Sequence, residues 1–240
     1  MLIQFTFCSP NGFTPLSRCA YGADMPLIRS VFQDELDGVS QTLFELSVMV
    51  SDSMAKATRA LVGKNLSLAE EVITFDEKID TVQHDLDARI IDIIARQQPV
   101  ASDLRALVTA LRMSADLERM GDLAHHVAKV VRLRHPASAV PEQLLQLIES
   151  MGEAAEKIAA KTGVVISTRD TALAAQVEKD DDEMDELHRK LISKLVEPSW
   201  PHGVETAIDL TLLGRYYERY ADHAVSVSRR VIFLVTGKFA

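Results

Sequence analysis

The chain has 240 residues, so it is long enough to bury a substantial core. Its formal net charge is −9. The negative charge argues against nucleic acid as the main partner, because a phosphate backbone is gripped by a basic surface. No apolar run approaches the roughly 20 residues that cross a bilayer, so we expect a soluble protein that meets membranes only through a partner. Only 5% of the residues are aromatic, which together with abundant Ala, Leu and Glu predicts an all-α protein.

The first 24 residues lack a helical pattern and contain both cysteines, Cys8 and Cys19. They also lack the basic start and apolar core of a signal peptide, and their Pro and Gly residues prevent a long helix. The helical body has no cysteine pair, which fits a reducing compartment. We therefore expect residues 1–24 to be a disordered leader, arising from an upstream start codon, with Met25 as the more natural beginning.

Two helices are predicted first. Apolar residues recur at three-four spacing from Met25 until Gly63, which predicts the first helix. Ser67 and Glu70 match a capping box at the start of a second helix. That helix is expected to end before Pro99, because the residue before a proline disfavours helical geometry.

The third helix and its repeats follow in the same order. We expect the third helix from near Ser102 to about Arg134. Three further helices are predicted at roughly 141–167, 170–196 and 203–236. The chain thus contains six long helices in two sets of three.

An internal duplication relates the two sets. An offset of 105 residues places Asn65 on Asp170, and both are plausible N-caps. An offset of 100 residues aligns LERMGD in the first half with YERYAD in the second. We conclude that a three-helix unit has been duplicated, with the first unit at 25–136 and the second at 137–240.

Each unit carries two pairs of carboxylates, spaced four residues apart, on consecutive helices. This spacing puts like charges on one helix face, at a cost of roughly 0.2–0.5 kcal/mol per pair. Short connections make consecutive helices antiparallel neighbours. The sequence midpoint between the acids of one helix and those of the next falls at Pro99 in the first unit and beside Pro198 and Pro201 in the second. Four carboxylates should therefore lie level in each half, facing a groove at the rim of the core. The eight residues are Asp76, Asp80, Glu118, Asp122, Asp181, Asp185, Glu218 and Asp222.

Such clusters need balancing positive charge. Arg119 and Arg219 could supply some of it, but a multivalent cation would supply more. Oxygen-rich sites suit Mg, Mn, Ca and iron. The alternative is a solvated acidic helix face, which is the usual meaning of a single pair. Four repeated and level pairs favour a metal site.

The histidines near the clusters are less informative. His84, His125 and His126 each lie three or four residues after an acid of the first half, but the duplicated positions hold no histidine. His188 and His223 in the second half are likewise unpaired. We interpret these residues as surface histidines rather than as ligands.

Several segments carry a family resemblance. The stretches DEKIDTVQHDL and DLRALVTALRMSADLERMGDLAHHVAKV, with the duplicated DDEMDELHRKL and GRYYERYADHAVSVSRRV, resemble the PhoU family of phosphate-signalling proteins. The likeness runs from Met25 to the C-terminus. It departs from the family pattern in the leader and in Ala221, which stands where the first half has Gly121.

The resemblance implies two similar three-helix bundles whose E/DxxxD motifs bind metal through the eight carboxylates. The cofactors would be divalent or ferric ions, such as iron, zinc, manganese or magnesium. The resemblance also implies a cytoplasmic negative regulator that links the Pst phosphate ABC transporter to the sensor histidine kinase of a two-component system. A homodimer is expected, because the clusters could bridge two copies.

Other functional classes fit the sequence less well. The sequence has no Gly-rich phosphate loop and no apparent nucleophile–base motif, so we do not expect an enzyme. A carboxylate-bridged, di-iron-like oxidase or metal-storage protein is the alternative, but such sites use Glu-x-x-His pairs. Glu118 is followed at that spacing by Gly121, and Glu218 by Ala221. A structural dimerisation module without metal is the third possibility.

Overall fold

The structure, a computed structural model, describes residues 25–238, with side chains from residue 31 onward. In this part of the chain every regular element is a helix, which confirms the all-α prediction. The predicted leader at 1–24 lies outside the described residues. The elements are α1 (Met25–Gly63), α2 (Leu66–Gln97), α3 (Ala101–Arg134), a 3₁₀ turn (Glu142–Leu144), α4 (Leu145–Thr168), α5 (Thr171–Leu195) and α6 (Gly203–Thr236).

The N-terminal caps of α2 and α5 are those that the duplication predicts. The Asn65 side chain accepts a hydrogen bond from the Leu68 amide at 3.1 Å, and the Asp170 side chain accepts from the first amides of α5. The capping-box prediction at Ser67 is wrong, because Asn65 already takes the cap position and Ser67 lies inside the first turn. The fourth helix also starts later than expected, because the 3₁₀ turn precedes its first α-helical residue, Leu145.

The six helices form two three-helix units, which contact each other through α1 and α3 of the first unit and α4 and α6 of the second. α2 packs on α1 and α3, and α5 packs on α4 and α6. The units meet where α1 lies against α4 and where α3 lies against α6. The division of the chain at 136/137 stays a prediction. None of the helices described here combines the length and the apolar character needed to span a bilayer.

Two buried tyrosines of α6 join the units through the middle of the core. The Tyr220 hydroxyl donates to the carbonyl oxygen of Val50 on α1 at 3.1 Å. The hydroxyls of Tyr217 and Thr58 are hydrogen-bonded at 2.8 Å. Both tyrosine side chains are fully buried, so these bonds satisfy polar groups that would otherwise be costly to bury.

Asp116 on α3 ties the units together at the α3–α6 seam. Its carboxylate accepts hydrogen bonds from His223 at 3.1 Å, from Ser226 at 3.0 Å and from Arg230 at 2.8 Å, all on α6. Burial raises the pKa of Asp116, but the bonds from His223 and Arg230 outweigh it and bring the pKa below its usual value. The interpretation of His223 as a surface histidine is wrong, because its side chain is only 19% exposed.

Candidate metal centre

The four carboxylates of the first half lie close enough along α2 and α3 to influence one another. Asp76 lies opposite Gly121, the residue before Asp122, as the midpoint argument predicts. Burial raises the pKa of Asp80, and repulsion from Asp76 and Asp122 raises it further. Burial and repulsion from Asp122 likewise raise the pKa of Glu118, which also feels both acids of α2. The carboxyl groups of Asp80 and Glu118 therefore lie within the electrostatic reach of the other acids along the α2–α3 groove.

A close approach of the two helices places Asp76 deepest in this cluster. A Cβ atom on Gly121 of α3 would lie 3.1 Å from Cδ1 of Ile79 and 3.5 Å from Oδ1 of Asp76, so glycine leaves α2 the space to approach. The Asp76 side chain is 9% exposed. Its Oδ1 is buried and has no hydrogen-bond partner in the described part of the chain. That oxygen is available to a cation.

His125 adds an imidazole that the sequence interpretation placed at the surface. Asp76 Oδ2 accepts a hydrogen bond from His125 Nδ1, and the histidine side chain is only 17% exposed. Its Nε2 is buried and finds no partner among the described residues. The surface interpretation is therefore wrong for His125. The available signal was its position three residues after Asp122, which turns it towards α2.

Exposed arginines partly neutralise each cluster. Arg119 contacts Asp122 at 2.6 Å and Glu118 at 3.5 Å, which confirms its expected role. In the second half, Glu218 forms an ion pair with Arg215, which lies one turn before Arg219 on α6. Arg219 forms no such pair among the described residues. The prediction for Arg219 is therefore wrong.

The carboxylates of the second half form an equivalent cluster between α5 and α6. Burial, with repulsion from Asp185, Asp222 and Glu218, raises the pKa of Asp181 to about 6. Burial and repulsion from Asp222 also raise the pKa of Glu218, whose Oε2 is buried and unpartnered in the described structure. Asp185 and Asp222 are the exposed members of this cluster.

A histidine also lies beside the second cluster, although at a position that the duplication does not repeat. His188 on α5 lowers the pKa of Glu218 electrostatically, so the two side chains are near each other. A Cβ atom on Gly214 would lie 3.1 Å from Cδ2 of His188, so the imidazole packs over this glycine. Each half thus has one half-buried imidazole near its carboxylates, His125 from the second helix of the cluster and His188 from the first.

The side chains fit a cation in chemistry but are not drawn together around one point. Across residues 31–238, no three His, Cys, Asp or Glu side chains stand close enough to hold a metal ion. The buried and unpartnered oxygens of Asp76 and Glu218 nevertheless supply one hard ligand in each half. Binding a cation would require the remaining carboxylates to turn inward, and the metal role of all eight stays a prediction.

Comparison with known proteins identifies the fold and the family. A family model described as "PhoU domain" matches the chain twice, at residues 43–131 and 148–231. The chain belongs to the PhoU family. Each match covers most of one three-helix unit, so the family pattern itself is repeated along this PhoU-family chain.

Mycobacterial relatives match along nearly their whole length. The chain is 44% identical over 212 residues to the phosphate-specific transport system accessory protein PhoU homolog 2 of Mycobacterium tuberculosis, covering 88% of this chain and 100% of the relative. It is 45% identical to PhoU homolog 1 of Mycobacterium leprae, covering 88% and 96%. PhoU-family members are regulatory accessory proteins rather than enzymes, which confirms the prediction that this chain is not an enzyme.

Two solved structures share the fold. The crystal structure of PhoU from Pseudomonas aeruginosa superposes with a TM-score of 0.78 at 27% identity, covering 86% of this chain and 100% of the other. The phosphate transport system regulatory protein PhoU from Streptococcus pneumoniae has the same TM-score at 24% identity, covering 87% and 99%. The predicted pair of three-helix bundles is therefore the PhoU fold.

Proposed function

We propose that this PhoU-family protein is a negative regulator of phosphate uptake and of phosphate-starvation signalling. It acts in the cytoplasm as an adaptor between the phosphate-specific ABC transporter and a sensor histidine kinase. The observation that carries this proposal is the match, along 96–100% of their length, to relatives named accessory proteins of the phosphate-specific transport system.

The architecture supports a role exerted through binding. The two units are tied together by buried bonds through the core and by the Asp116 cluster at the seam, so the helical faces keep fixed positions relative to one another. A rigid scaffold with several exposed helix faces can contact two partners at once. Its influence on phosphate uptake is then a change in what those partners do.

The two carboxylate clusters are proposed as metal sites, one in each half. A multivalent cation would reduce the repulsion among the ionised carboxylates. Asp76 and Glu218 each have a buried oxygen without a hydrogen-bond partner among the described residues, and such oxygens suit a hard cation. Iron, zinc, manganese and magnesium are the candidate ions. A cation at either cluster would fix the groove between two helices, and ligands from a second copy would make the protein a homodimer.

The oxidase alternative finds no support. It requires Glu-x-x-His pairs that point into a four-helix core, and the family consists of accessory proteins. His125 does lie three residues after an acid, but that acid is Asp122, and the duplicated position holds Val225.

Deletion of the gene tests the proposed function. In cells that lack this protein and any second copy, a reporter for phosphate-starvation genes should be active in excess phosphate, and the cells should over-accumulate phosphate. Restoring the wild-type gene should repress the reporter. Normal repression in cells stripped of every copy would contradict the proposal.

A further inference from the structure

Charge is distributed unevenly over the helices. α2 and α5 together carry fifteen acidic and seven basic side chains, whereas α3 and α6 carry eight acidic and ten basic ones. The helices α3 and α6 are therefore mildly basic in a protein whose net charge is −9. A basic face on an acidic protein selects for an acidic partner, because complementary potential speeds encounter and excludes partners of the wrong sign.

Three of these ten basic side chains line a groove at one end of the α3–α6 seam. This groove, which we call the cationic groove, has a volume of about 420 Å³. Thr109 contributes to its floor and is almost fully buried. The side chains that shape it are Leu104, Arg105, Val108, Arg112, Arg230 and Phe233.

The arginines of the cationic groove are not fully neutralised by the protein. Arg230 is paired with Asp116 at 2.8 Å. Arg105 stacks on the Phe233 ring at 5.7 Å and Arg112 is exposed, and neither makes an ion pair with another described residue. No carboxylate lines the groove. A negative group that enters it would meet positive charge on a partly apolar surface, where salt screens the attraction less than in open solvent.

At the duplicated end of the seam, the corresponding charged side chains form ion pairs within the protein. At the offset of 100 residues, Arg105 and Thr109 correspond to Glu205 and Asp209. Arg134 of α3 lies between these two acids, with its Nε 2.6 Å from Asp209. The polarity is thus reversed between the two ends: the second end contains its own counter-ion, whereas Arg105 and Arg112 of the cationic groove have none among the described residues.

We propose that the cationic groove is a docking site for an acidic, amphipathic helical segment of a partner protein. Carboxylates of the segment lie next to Arg105 and Arg112 and neutralise them. At the duplicated end, where the charges are reversed, Arg134 of the protein itself provides this neutralisation. One large apolar side chain enters between Leu104 and Val108, each of which is 39% exposed. The inference rests on the proposed adaptor function, since an adaptor needs a docking face.

A synthetic helix provides the probe. A fluorescein-labelled peptide with Leu and Phe at three-four spacing and Glu on the flanking positions is titrated with the full chain, and anisotropy is measured at low salt. The control peptide carries Gln in place of each Glu. We expect the acidic peptide to bind about tenfold more tightly than the Gln peptide, the difference that complementary charges commonly supply.

Matched variants locate the binding site. R112E and V108D should each weaken binding of the acidic peptide about tenfold, because one reverses a charge of the groove and the other places a like charge in its apolar wall. R219E makes the same charge change at an exposed position of α6 outside the groove. I208D makes the Val108 change at the duplicated position, and both controls should alter the affinity less than about twofold. Thermal melts confirm that each variant is folded.

Three results would overturn the proposal: no binding of the acidic peptide, equal binding of the two peptides, or equal losses in the groove variants and in their controls. The peptide assay does not depend on gene expression. If it fails while deletion of the gene still abolishes repression, the groove is refuted and the regulatory function stands. If deletion leaves repression intact, the proposed function fails whatever the peptide does.

Discussion

Replacing Asp181 with asparagine should stabilise the metal-free protein at neutral pH. The pKa of Asp181 in the folded state is raised from 3.8 to about 6, because the carboxylate is partly buried beside four other acids. One pKa unit corresponds to about 1.4 kcal/mol, so the raised pKa would cost at most about 3 kcal/mol when the group is ionised. Because the side chain is partly exposed, solvent screening reduces this to about 1–1.5 kcal/mol.

The sign follows from the direction of the shift. A carboxyl group whose folded pKa lies above its unfolded pKa gives the fold a stability that is fully present below pH 3.8 and is lost as the pH rises through about 6. Asp181→Asn removes that loss. The variant should therefore exceed the wild type at pH 7.5 by about 1–1.5 kcal/mol, or about 2–6 °C in melting temperature, and should match it near pH 4.

Urea unfolding followed by circular dichroism, in the presence of a chelator, measures this difference at a series of pH values. Asp85→Asn is the matched control, because Asp85 is exposed on α2 outside the cluster and should change stability very little. No gain for Asp181→Asn at pH 7.5, or the same gain at pH 4 and at pH 7.5, would show that the charge of Asp181 does not destabilise the fold.

Two further substitutions test how the units are held together. Asp116→Ala should lower the free energy of unfolding by about 2–4 kcal/mol, because it removes three hydrogen bonds and leaves Arg230 without its carboxylate. Urea titration measures this loss, and a change below about 1 kcal/mol would contradict the prediction. In thermal melts, Gly152→Ala should lower the free energy of unfolding by about 1–3 kcal/mol, since its Cβ atom would overlap with Cγ2 of Thr58. Gly63→Ala, which meets open space at the end of α1, should be neutral or stabilising by about 0.4–1 kcal/mol in the same thermal melts, and equal losses at both glycines would refute the packing argument.

The helix bounds could be predicted closely because residues at and next to the helix ends determine them. Pro99 limits α2 for reasons of backbone geometry, and Asn65 offers its side chain to the amides of the next turn. The capping box failed because two cap patterns overlap within three residues and only one can be used. The 3₁₀ turn at Glu142–Leu144 was missed, since the apolar pattern there fits either helix type.

The candidate site was predictable only where the duplication repeats it. The carboxylates recur in both halves, so their common height follows from helix geometry alone. His125 does not recur, and its burial depends on how α2 approaches α3 at Gly121, which periodicity does not encode. The seam contacts of Asp116 and Arg134 were also missed, because they depend on how the two units dock rather than on either unit alone.

The two proposed metal sites are tested by measuring how much metal the protein holds. The full chain, purified without chelator and then equilibrated with iron, zinc, manganese or magnesium, is analysed by inductively coupled plasma mass spectrometry. We compare the wild type with Asp76→Asn/Glu118→Gln and with Asp181→Asn/Glu218→Gln. The wild type should retain metal at both clusters, and each double variant should lose the metal of its own half while keeping that of the other. Equal metal content in the wild type and in a variant that lacks all eight carboxylates would contradict the account.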